Sequence, residues 1–484
     1  MSGLFGTLGV ATSGLTASQI ALQTSGHNIS NTTTDGYSRQ RTNLQTTNPY
    51  TIGGVGQVGT GVKVKDITRV VDDFVRQQVR EANSMSKMYE EKADALGQLE
   101  DYFGEPSDSA LLKQMNTIYD AWSKLSSNPE LGTSKTLVVE NSNTFSTTVN
   151  EMAQNINQLK SDVDTSLANT VYNFNQRVEE LEILNKKIVD NSMTAGVSND
   201  LLDQRDRLLK DMSSMANITT TFDKYGRVSE LKVGDTKVLD TDHRIPMSVV
   251  VASLNGTTQI AVEGDRTNTV TIQSSEVNGG PLVVYNAQTG KYDQITVSKG
   301  QIGGQIAASQ EIAERASEFN QFIEKMATSI NTTYSDGGKN PNFFILDSDA
   351  SNIARNLKVN DLFQNDPSKL VAGLGDNPNA GDGRLAKNVA LSFSAKDEQG
   401  MTYAEHYNDI ITKNGISKLK ADNTVKAQQT VLDQLENQDA SISGVNINEE
   451  VSNVIRFSQA FQANARVLQT VSEMLDTLIN RTGA

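Results

Sequence analysis

The chain opens with LFGTLGVATSGLTASQIALQTSGHNI, residues 4–29, in which apolar side chains recur at every seventh position. The last segment of the chain repeats this pattern between residues 447 and 475. A heptad row is typical of a helix that buries a narrow seam against another helix. The predicted assembly seam consists of Leu8, Leu15, Leu22 and Ile29 at the front, and of Ile447, Val454, Phe461, Leu468 and Leu475 at the back.

The two rows lie at opposite ends of a chain of 484 residues. Neither has a partner helix beside it in sequence, so we expect the ends to return to each other and to complete their packing against neighbouring copies. The front helix is rich in Gly, Ser and Thr, which are mediocre helix formers, and helices draw most of their stability from packing. We therefore expect residues 4–29 to be disordered in a dilute monomer and ordered in an assembly. Sharp, protected amide resonances from this segment in the monomer would contradict that expectation.

The composition argues against several classes of function. The net charge is −15 and no dense Lys/Arg run is present, so we expect no nucleic-acid partner. The sequence contains no cysteine and only three scattered histidines, His27, His243 and His406, so we expect no disulfide, no metal site and no cofactor. No apolar run approaches the roughly 20 residues of a membrane span, and no secretory signal opens the chain. We therefore expect neither membrane insertion nor a cleaved signal.

Between the ends, the periodicity indicates long helices and one β-rich segment. The strongest apolar stripe runs from Phe145 to Leu181 at spacings of three and four residues, with one stutter near Leu167. Short β-rich pieces separated by glycine turns replace the helical pattern from about residue 217 to 300. The predicted fold class is mainly α with an inserted all-β domain: terminal coiled-coil-like helices, a long-helix bundle and a small β-domain. The predicted domains are a terminal-helix assembly domain at 1–66 plus 441–484, a helical bundle domain at 67–216 plus 301–440, and a β-rich outer domain at 217–300.

The segment that follows the front helix carries a recognisable motif. Asn28-Ile29-Ser30-Asn31-Thr32-Thr33-Thr34-Asp35-Gly36-Tyr37 resembles the N-terminal motif of the bacterial flagellar axial proteins, which are the rod, hook and hook-associated proteins. The continuation Ser38-Arg39-Gln40 is similar to that of the hook-associated family at the junction between hook and filament. The mid-chain segment NDLLDQRD, residues 199–206, resembles a signature of the same family, and residues 444–450 and 461–466 resemble the axial C-terminal motif.

This resemblance implies a non-enzymatic structural subunit of the bacterial flagellum that forms the hook–filament junction and polymerises through its terminal helices. It implies a homo-oligomeric ring or layer, with the hook protein and a second hook–filament junction protein as partners. It further implies an extracellular location, reached by export without a cleaved signal peptide, and a chain without cysteine suits passage through a narrow channel. Because the apolar seam of the last helix is exposed before assembly, we expect an export chaperone to bind there.

The motif positions that the resemblance carries over are Asn28, Asn31, Gly36, Tyr37 and Arg39. The short polar side chains can bond to nearby backbone and end the helix, and the glycine permits a positive φ. The tyrosine can bury its ring while its hydroxyl finds a partner. Taken alone, these residues also fit an ordinary helix stop and turn.

Several other patterns match catalytic motifs only in part. Gly54-Val55-Gly56-Gln57-Val58-Gly59 has the GxGxxG spacing of a dinucleotide site, but Val62-Lys63-Val64 predicts a strand where that motif needs a helix. Glu449 and Glu450 at the start of the last helix do not share a helix face, so we expect them to favour the helix dipole and not to act as an acid pair. The acidic residues between Asp200 and Asp206 predict a capped, salt-bridged helix start.

Three alternatives to the junction role exist. A hook or distal-rod subunit is the nearest, and the sequence Tyr37-Ser38-Arg39-Gln40 and the chain length argue against it. A peptidoglycan-cleaving axial enzyme would need a placed acid pair or a nucleophile with a base, and no residues here have a sequence reason to be chosen. An adhesive role of the β-domain stays open.

Overall fold

The computed structural model describes residues 2–54, 56–104, 111–194, 196–241, 243–397 and 400–481. Helices contain 62% of the chain and a sheet-containing β region lies in its middle, so the predicted fold class is confirmed. The chain exposes 24893 Å² of surface. A compact protein of 52.5 kDa would expose about 17,600 Å². The molecule is therefore extended.

The helices and strands alternate in long blocks. The α-helices are α1 (Ser2–Ser30), α2 (Asp73–Phe103), α3 (Leu111–Ser127), α4 (Gly132–Thr194), α5 (Asn199–Met215), α6 (Gly300–Ser335), α7 (Asp361–Asn365), α8 (Arg384–Ser392), α9 (Tyr403–Ser443) and α10 (Ile447–Asp476), which continues into a π-helical turn at Thr477–Arg481. The strands are β1 (Gln40–Thr46), β2 (Tyr50–Ile52), β3 (Gly56–Val58), β4 (Val62–Arg69), β5 (Ile218–Phe222), β6 (Val228–Val233), β7 (Thr236–Asp240), β8 (His243–Arg244), β9 (Met247–Leu254), β10 (Thr257–Ala261), β11 (Thr269–Gln273), β12 (Val277–Asn278), β13 (Leu282–Asn286), β14 (Lys291–Gln294), β15 (Phe344–Ile345) and β16 (Lys358–Val359).

The two ends of the chain pack against each other, as the heptad rows predict. Gly14 of α1 lies so close to α10 that a Cβ at this position would stand 2.7 Å from Asn464 Oδ1. The segment after α1 reaches the start of α10 through an ion pair between Arg39 and Glu450, so the two helices run antiparallel. The antiparallel strands β1 and β4 lie along α1. We call α1, β1–β4 and α10 the terminal unit.

Helices α2 and α9 form a second antiparallel pair, which leads from the terminal unit into the bundle. Arg76 near the start of α2 pairs with Asp439 near the end of α9. Asn414 in the first part of α9 donates to the carbonyl of Leu96, in the last part of α2, at 3.1 Å. Beyond this pair, a large apolar cluster joins α2, α3, α4, α6, α8 and α9 around the single tryptophan, Trp122.

Helix α4 is one continuous helix that enters two apolar cores. Its 63 residues span about 95 Å at 1.5 Å per residue. The stripe from Phe145 to Leu159 is buried in the first cluster, and the stripe from Leu167 to Leu181 is buried in a second cluster. The predicted stutter near Leu167 therefore coincides with the passage from one core to the other.

The middle of the chain forms two sheets that pack on α4 and α5. Strands β5–β8 make a four-stranded meander, and the larger sheet has the strand order β11-β10-β9-β13-β14-β12. Both sheets contribute to the second cluster, through Leu231 and Leu239 of the first and Val249 and Leu282 of the second. The β-rich region thus shares its core with the helices. The domain boundaries drawn from the sequence stay a prediction.

Buried asparagines on helices fasten several strands to the helical framework. In each case the side-chain amide bonds to both the N–H and the C=O of the first residue of a strand, as a neighbouring strand would. The pairs are Asn28 with Gln40, Asn175 with Met247, Asn185 with Val228 and Asn331 with Phe344, at N···O distances of 2.8–3.0 Å. We call these contacts asparagine clamps.

Candidate functional site: the ion node between the chain ends and the bundle

The chain turns back after α1, and residues of the motif hold the turn closed. Asn28 forms the clamp on Gln40, and its Oδ1 also accepts a hydrogen bond from the Tyr37 hydroxyl at 2.8 Å. The same hydroxyl lies 3.0 Å from Nδ1 of His27. Burial, followed by the charge of nearby carboxylates, raises the pKa of Tyr37. The phenol therefore stays protonated and available as a donor.

The tip of this turn rests on α5. Gly36 has a φ of +70°, the left-handed region that the sequence predicts. A Cβ at this position would overlap the side chain of Arg207. Arg207 in turn donates to the carbonyl of Asp35 at 3.1 Å. Only glycine combines this backbone conformation with the close approach of α5.

Ser38 ties the turn to α5 through a buried carboxylate. The Ser38 backbone N–H and hydroxyl donate to the two oxygens of Asp203, at 3.0 and 2.6 Å. Arg69, at the end of β4, donates to the same carboxylate at 2.8 Å. Both Ser38 and Asp203 are buried. A buried charge with several donors is tolerated, whereas one without them is costly.

Asp206, one turn further along α5, forms ion pairs with three arginines. It pairs with Arg69 of β4, with Arg76 of α2 and with its neighbour Arg205. Burial alone would raise the pKa of Asp206, but the three guanidinium groups hold that pKa below its usual range. The carboxylate is therefore charged at neutral pH and links β4, α2 and α5.

Arg39 joins the turn to the start of α10. Its guanidinium donates to the buried carboxylate of Glu450 at 2.8 Å and pairs with Glu449 at 2.9 Å. Its backbone N–H donates to the carbonyl of Ser443, at the end of α9, also at 2.8 Å. Asn446 caps α10 by accepting hydrogen bonds from two amides of the first turn. Glu449 and Glu450 therefore share one arginine, Arg39, as their partner.

We call this group of side chains the ion node, and it connects the terminal unit to the bundle. Its members are Ser38, Arg39, Arg69, Arg76, Asp203, Arg205, Asp206, Glu449 and Glu450. Within the described residues, none of the four apolar clusters includes a side chain of the terminal unit. The contacts of the node are hydrogen bonds and ion pairs. Such contacts can exchange partners or take up water, unlike an interlocked apolar core.

The side chains of the node are serine, arginine, aspartate and glutamate. Across the part of the chain that the structure describes, no three His, Asp or Glu side chains are arranged to hold a metal ion.

The segment Gly54–Gly59 lies in the hairpin of β2 and β3 and leads into the strand β4, with Val55 outside the described residues. The predicted strand at Val62-Lys63-Val64 is confirmed.

The predicted seam residues lie along α1 and α10 with differing burial. Half-buried are Leu8, Leu15, Leu22, Ile29, Val454, Phe461, Leu468 and Leu475, whereas Ile447 is 51% exposed. The fully buried positions of α1 include Ala17 and Ala21, small residues that permit close approach of neighbouring chain segments. The role of the seam in assembly stays a prediction.

Helix α10 leaves further apolar side chains uncovered on two flanks. Ile447, Val451 and Ile455 follow one flank at intervals of four residues. Val467, Met474 and Leu478 follow the other flank, in and just after the second half of the helix. At 3.6 residues per turn, the centres of the two sets lie roughly 160° apart around the helix axis. One neighbouring helix cannot cover both sets.

Sequence reasoning missed two arginines of the node. Arg69 and Arg76 lie outside the recognised motifs, and nothing in their spacing sets them apart. Asp203 and Asp206 share a helix face, and this could have indicated a contact between α5 and another element. The sequence analysis instead assigned both residues to a capped helix start. That prediction was wrong about the cap, because Ser198 precedes α5 without a side-chain hydrogen bond. The two aspartates instead reach across to β4 and α2.

The fold and the node define an extended, mainly helical structural protein whose two chain ends form one antiparallel helix pair. The profile of the family described as "Flagellar hook-associated protein FlgK helical domain" matches residues 96–343, which is half of the chain. The chain belongs to this FlgK family, the family of the hook–filament junction protein of the bacterial flagellum. A second profile, "Flagellar basal body rod FlgEFG protein C-terminal", matches residues 440–481.

Individual relatives match over almost their whole length. Flagellar hook-associated protein 1 of Bacillus subtilis (strain 168) is 27% identical over 508 residues, covering 100% of this chain and 99% of the relative. The protein of the same name from Escherichia coli (strain K12) is 26% identical, covering 97% and 98%. The solved structure of the flagellar hook junction protein FlgK from Burkholderia pseudomallei aligns with a TM-score of 0.62 at 11% identity, covering 76% of this chain and 100% of that one. This structural likeness shows the fold.

Among the described helices, none combines the length and the apolarity that crossing a membrane would require.

Proposed function

We propose that this member of the family is a structural subunit without catalytic activity, which polymerises through its terminal helices. The observation that carries the proposal is the pairing of α1 with α10, which leaves apolar side chains on two flanks of α10 uncovered. Exposed apolar surface is costly in water, and helices of neighbouring copies can cover it. Two different flanks favour an interface between unlike surfaces, which closes into a ring or continues as a helix.

In the assembled layer, the terminal unit lies innermost, the helical bundle forms the next shell, and the sheets face outward. This follows the domain division at 1–66 plus 441–484, 67–216 plus 301–440, and 217–300. The partners are further copies of the chain, the hook protein and the second junction protein. The match of residues 440–481 to the C-terminal part of rod proteins supports a terminal unit that packs as other axial components do.

The subunit reaches the outside of the cell through the flagellum's own channel, without a cleaved signal peptide. An export chaperone covers α10 before assembly. Two observations support this route: α10 presents uncovered apolar side chains in the single chain, and the sequence contains no cysteine that could lock the chain by a disulfide.

Deleting the gene in the source bacterium tests the proposed role. We expect finished hooks without filaments by electron microscopy of the cells, and unassembled flagellin in the medium. Expression of the full chain from a plasmid is the control and should restore filaments. Intact filaments in the deletion strain would contradict the proposal, and missing hooks would favour the alternative of a hook or distal-rod subunit.

A further inference from the structure

A movement of the terminal unit would take one cation out of the ion node. The carboxylates on the bundle side of the node are those of Asp203 and Asp206 on α5 and of Asp439 on α9. Among the described residues, Arg69 is the one cation of the terminal unit that pairs with any of them. Arg69 ends β4, so its guanidinium turns with the terminal unit when that unit tilts.

A further arginine lies beside the node without a carboxylate partner. Arg80 stands one helical turn after Arg76 on α2, and both line one groove together with Asp206 and Asp439. No carboxylate oxygen of the described residues lies within ion-pair distance of Arg80. Burial lowers the pKa of Arg80, and the charge of Asp206 is the largest effect that opposes this. Asp206 is therefore the carboxylate that acts most strongly on this unpaired guanidinium.

The arrangement of the next ion pair explains why Arg80 is left over. Because α2 and α9 are antiparallel, one turn forward on α2 corresponds to one turn back on α9. The pair of Arg76 with Asp439 therefore places Arg80 level with Glu436. Glu436 is already paired with Lys210 of α5, at 2.7 Å. Two cations thus face one carboxylate at this level, and the lysine occupies it.

The charges of the node balance when Arg69 is withdrawn. In the structure, four guanidinium groups surround three carboxylates, and Arg80 is the surplus one. Without Arg69, three cations face three carboxylates on the bundle side. The cations are Arg76, Arg80 and Arg205, and the carboxylates are Asp203, Asp206 and Asp439. Since a buried carboxylate that loses its cation is strongly destabilising, a second arginine within reach removes most of that penalty.

Both the side chain and the node have room to move. The groove that Arg80 shares with Asp206 has a volume of about 870 Å³. Within the described residues, the terminal unit contributes to none of the four apolar clusters. Hydrogen bonds and ion pairs can form again with new partners or with water, whereas an interlocked apolar core resists such a change.

We propose that Arg80 is a reserve counter-ion, which takes the place of Arg69 on Asp206 when the terminal unit tilts away from the bundle. Asp206 binds Arg69 in the closed node and Arg80 in the tilted node, so its charge is compensated in both. The exchange gives the node two arrangements of similar electrostatic balance. The inference concerns the single chain, and its failure would leave the proposed polymerisation through the terminal helices untouched.

Removal of the two charges, singly and together, tests the exchange on the purified full chain. Arg69→Met imitates the loss of the first partner, and Arg80→Met removes the reserve. Hydrogen exchange of residues 199–209 is the readout, because uncompensated carboxylates destabilise the helix that carries them. In the double variant we expect exchange at least about fivefold faster than the product of the two single effects, since each arginine replaces the other. A smaller departure from additivity would overturn the proposal.

Two further variants separate the exchange from a general effect of charge. Lys187 lines the same groove on α4 and has no ion pair among the described residues. Lys187→Met should therefore combine additively with Arg69→Met, and a departure as large as that of Arg80→Met would overturn the proposal. Arg80→Lys keeps the charge, so in the Arg69→Met chain it should exchange no faster than Arg69→Met alone.

The rate at which the node opens provides a second test, because its sign differs between the two roles that Arg80 could have. A reserve counter-ion stabilises the tilted node, so Arg80→Met should slow proteolytic cleavage within residues 31–61 at least about threefold. A cation that stabilised the closed node would speed this cleavage when it is removed. Cleavage that is faster or unchanged in Arg80→Met would therefore overturn the proposal.

Discussion

At the scale of single residues, the asparagine clamps explain why the fold needs particular side chains at particular positions. Each clamp satisfies both backbone groups of the residue at which a strand begins. An aspartate lacks the donor and an alanine lacks both groups, so neither can substitute. Asn28 provides such a clamp within the recognised motif, where it fixes the position of β1 relative to α1.

We expect Asn28→Ala to loosen the turn at residues 31–40. The change leaves the N–H and C=O of Gln40 without partners, which costs about 1–3 kcal/mol for buried groups. The measurement is the rate of amide hydrogen exchange at Gln40, which should rise. Asn31→Ala is the control, because Asn31 donates to the carbonyl of His27 within its own helix turn. An equal rise in both variants would contradict the role of the clamp.

We expect Asp206→Asn to open the ion node without unfolding the bundle. The variant leaves Arg69, Arg76 and Arg205 facing one another without their shared counter-charge, and breaking a buried pair costs about 3–5 kcal/mol. Proteolytic cleavage within residues 31–61 should accelerate at least about tenfold, since about 1.4 kcal/mol of local opening free energy is a factor of ten. The urea midpoint followed by Trp122 fluorescence should stay unchanged, because that side chain lies in the first apolar cluster.

Low pH should also open the ion node, by protonating Asp206. The folded-state pKa of Asp206 is depressed, so its stabilising contribution is complete above the unfolded pKa of about 4 and disappears as the pH falls through the folded value. Cleavage of residues 31–61 by pepsin should therefore begin to rise as the pH falls below about 4 and level off below the folded pKa, and Asp206→Asn should lack this rise. An exposed carboxylate on α4 provides the control, as Asp162→Asn should keep the wild-type profile. Opening between pH 7 and 5 would contradict this account.

At the scale of secondary-structure elements, local periodicity predicted most of the helices and the position of the β-rich segment. The observed α1 and α10 differ from the predicted limits by a few residues, because apolar spacing reports packing and not the helix end. The node could not be predicted in the same way. Arg69 meets Asp203 across 134 residues of chain, and no local pattern encodes a contact at that separation.

We expect Leu468→Asp to abolish incorporation while the bundle still folds. Leu468 is a half-buried residue of the predicted seam on α10, and a carboxylate placed there would lose hydration without gaining a partner. Incorporation is measured as the amount of chain in isolated flagella, and folding by Trp122 fluorescence. Gln469→Asp adds the same charge at the next, exposed position and should incorporate normally. Normal assembly of Leu468→Asp would count against the seam.

At the scale of the whole molecule, the positions of the apolar clusters predict that the bundle, the sheets and the terminal unit are stabilised in different ways. The bundle and the sheets each contain a large cluster, and α4 belongs to both. The terminal unit contributes to none of the clusters in the described residues and depends on the α1–α10 contact and the ion node. Removal of the last helix should therefore affect partners far more than it affects the rest of the fold.

We expect truncation after Gly444 to remove chaperone binding and to leave the bundle intact. The truncated chain lacks α10 and with it the uncovered apolar flanks that the chaperone would recognise. Pull-down of the flagellar export chaperones by the purified chain measures binding, and the urea transition of Trp122 measures folding. The full chain is the control. Undiminished binding after truncation would place the chaperone site elsewhere.

The continuity of α4 has a mechanical consequence for the proposed subunit. A single helix of 63 residues passes from the bundle core to the sheet core without a loop, so this part of the molecule acts as a stiff beam. The ion node connects the terminal unit to the bundle, and its hydrogen bonds and ion pairs can exchange partners. A torque applied between the terminal unit and the sheets should therefore change the angle at the node, while the length of α4 stays unchanged.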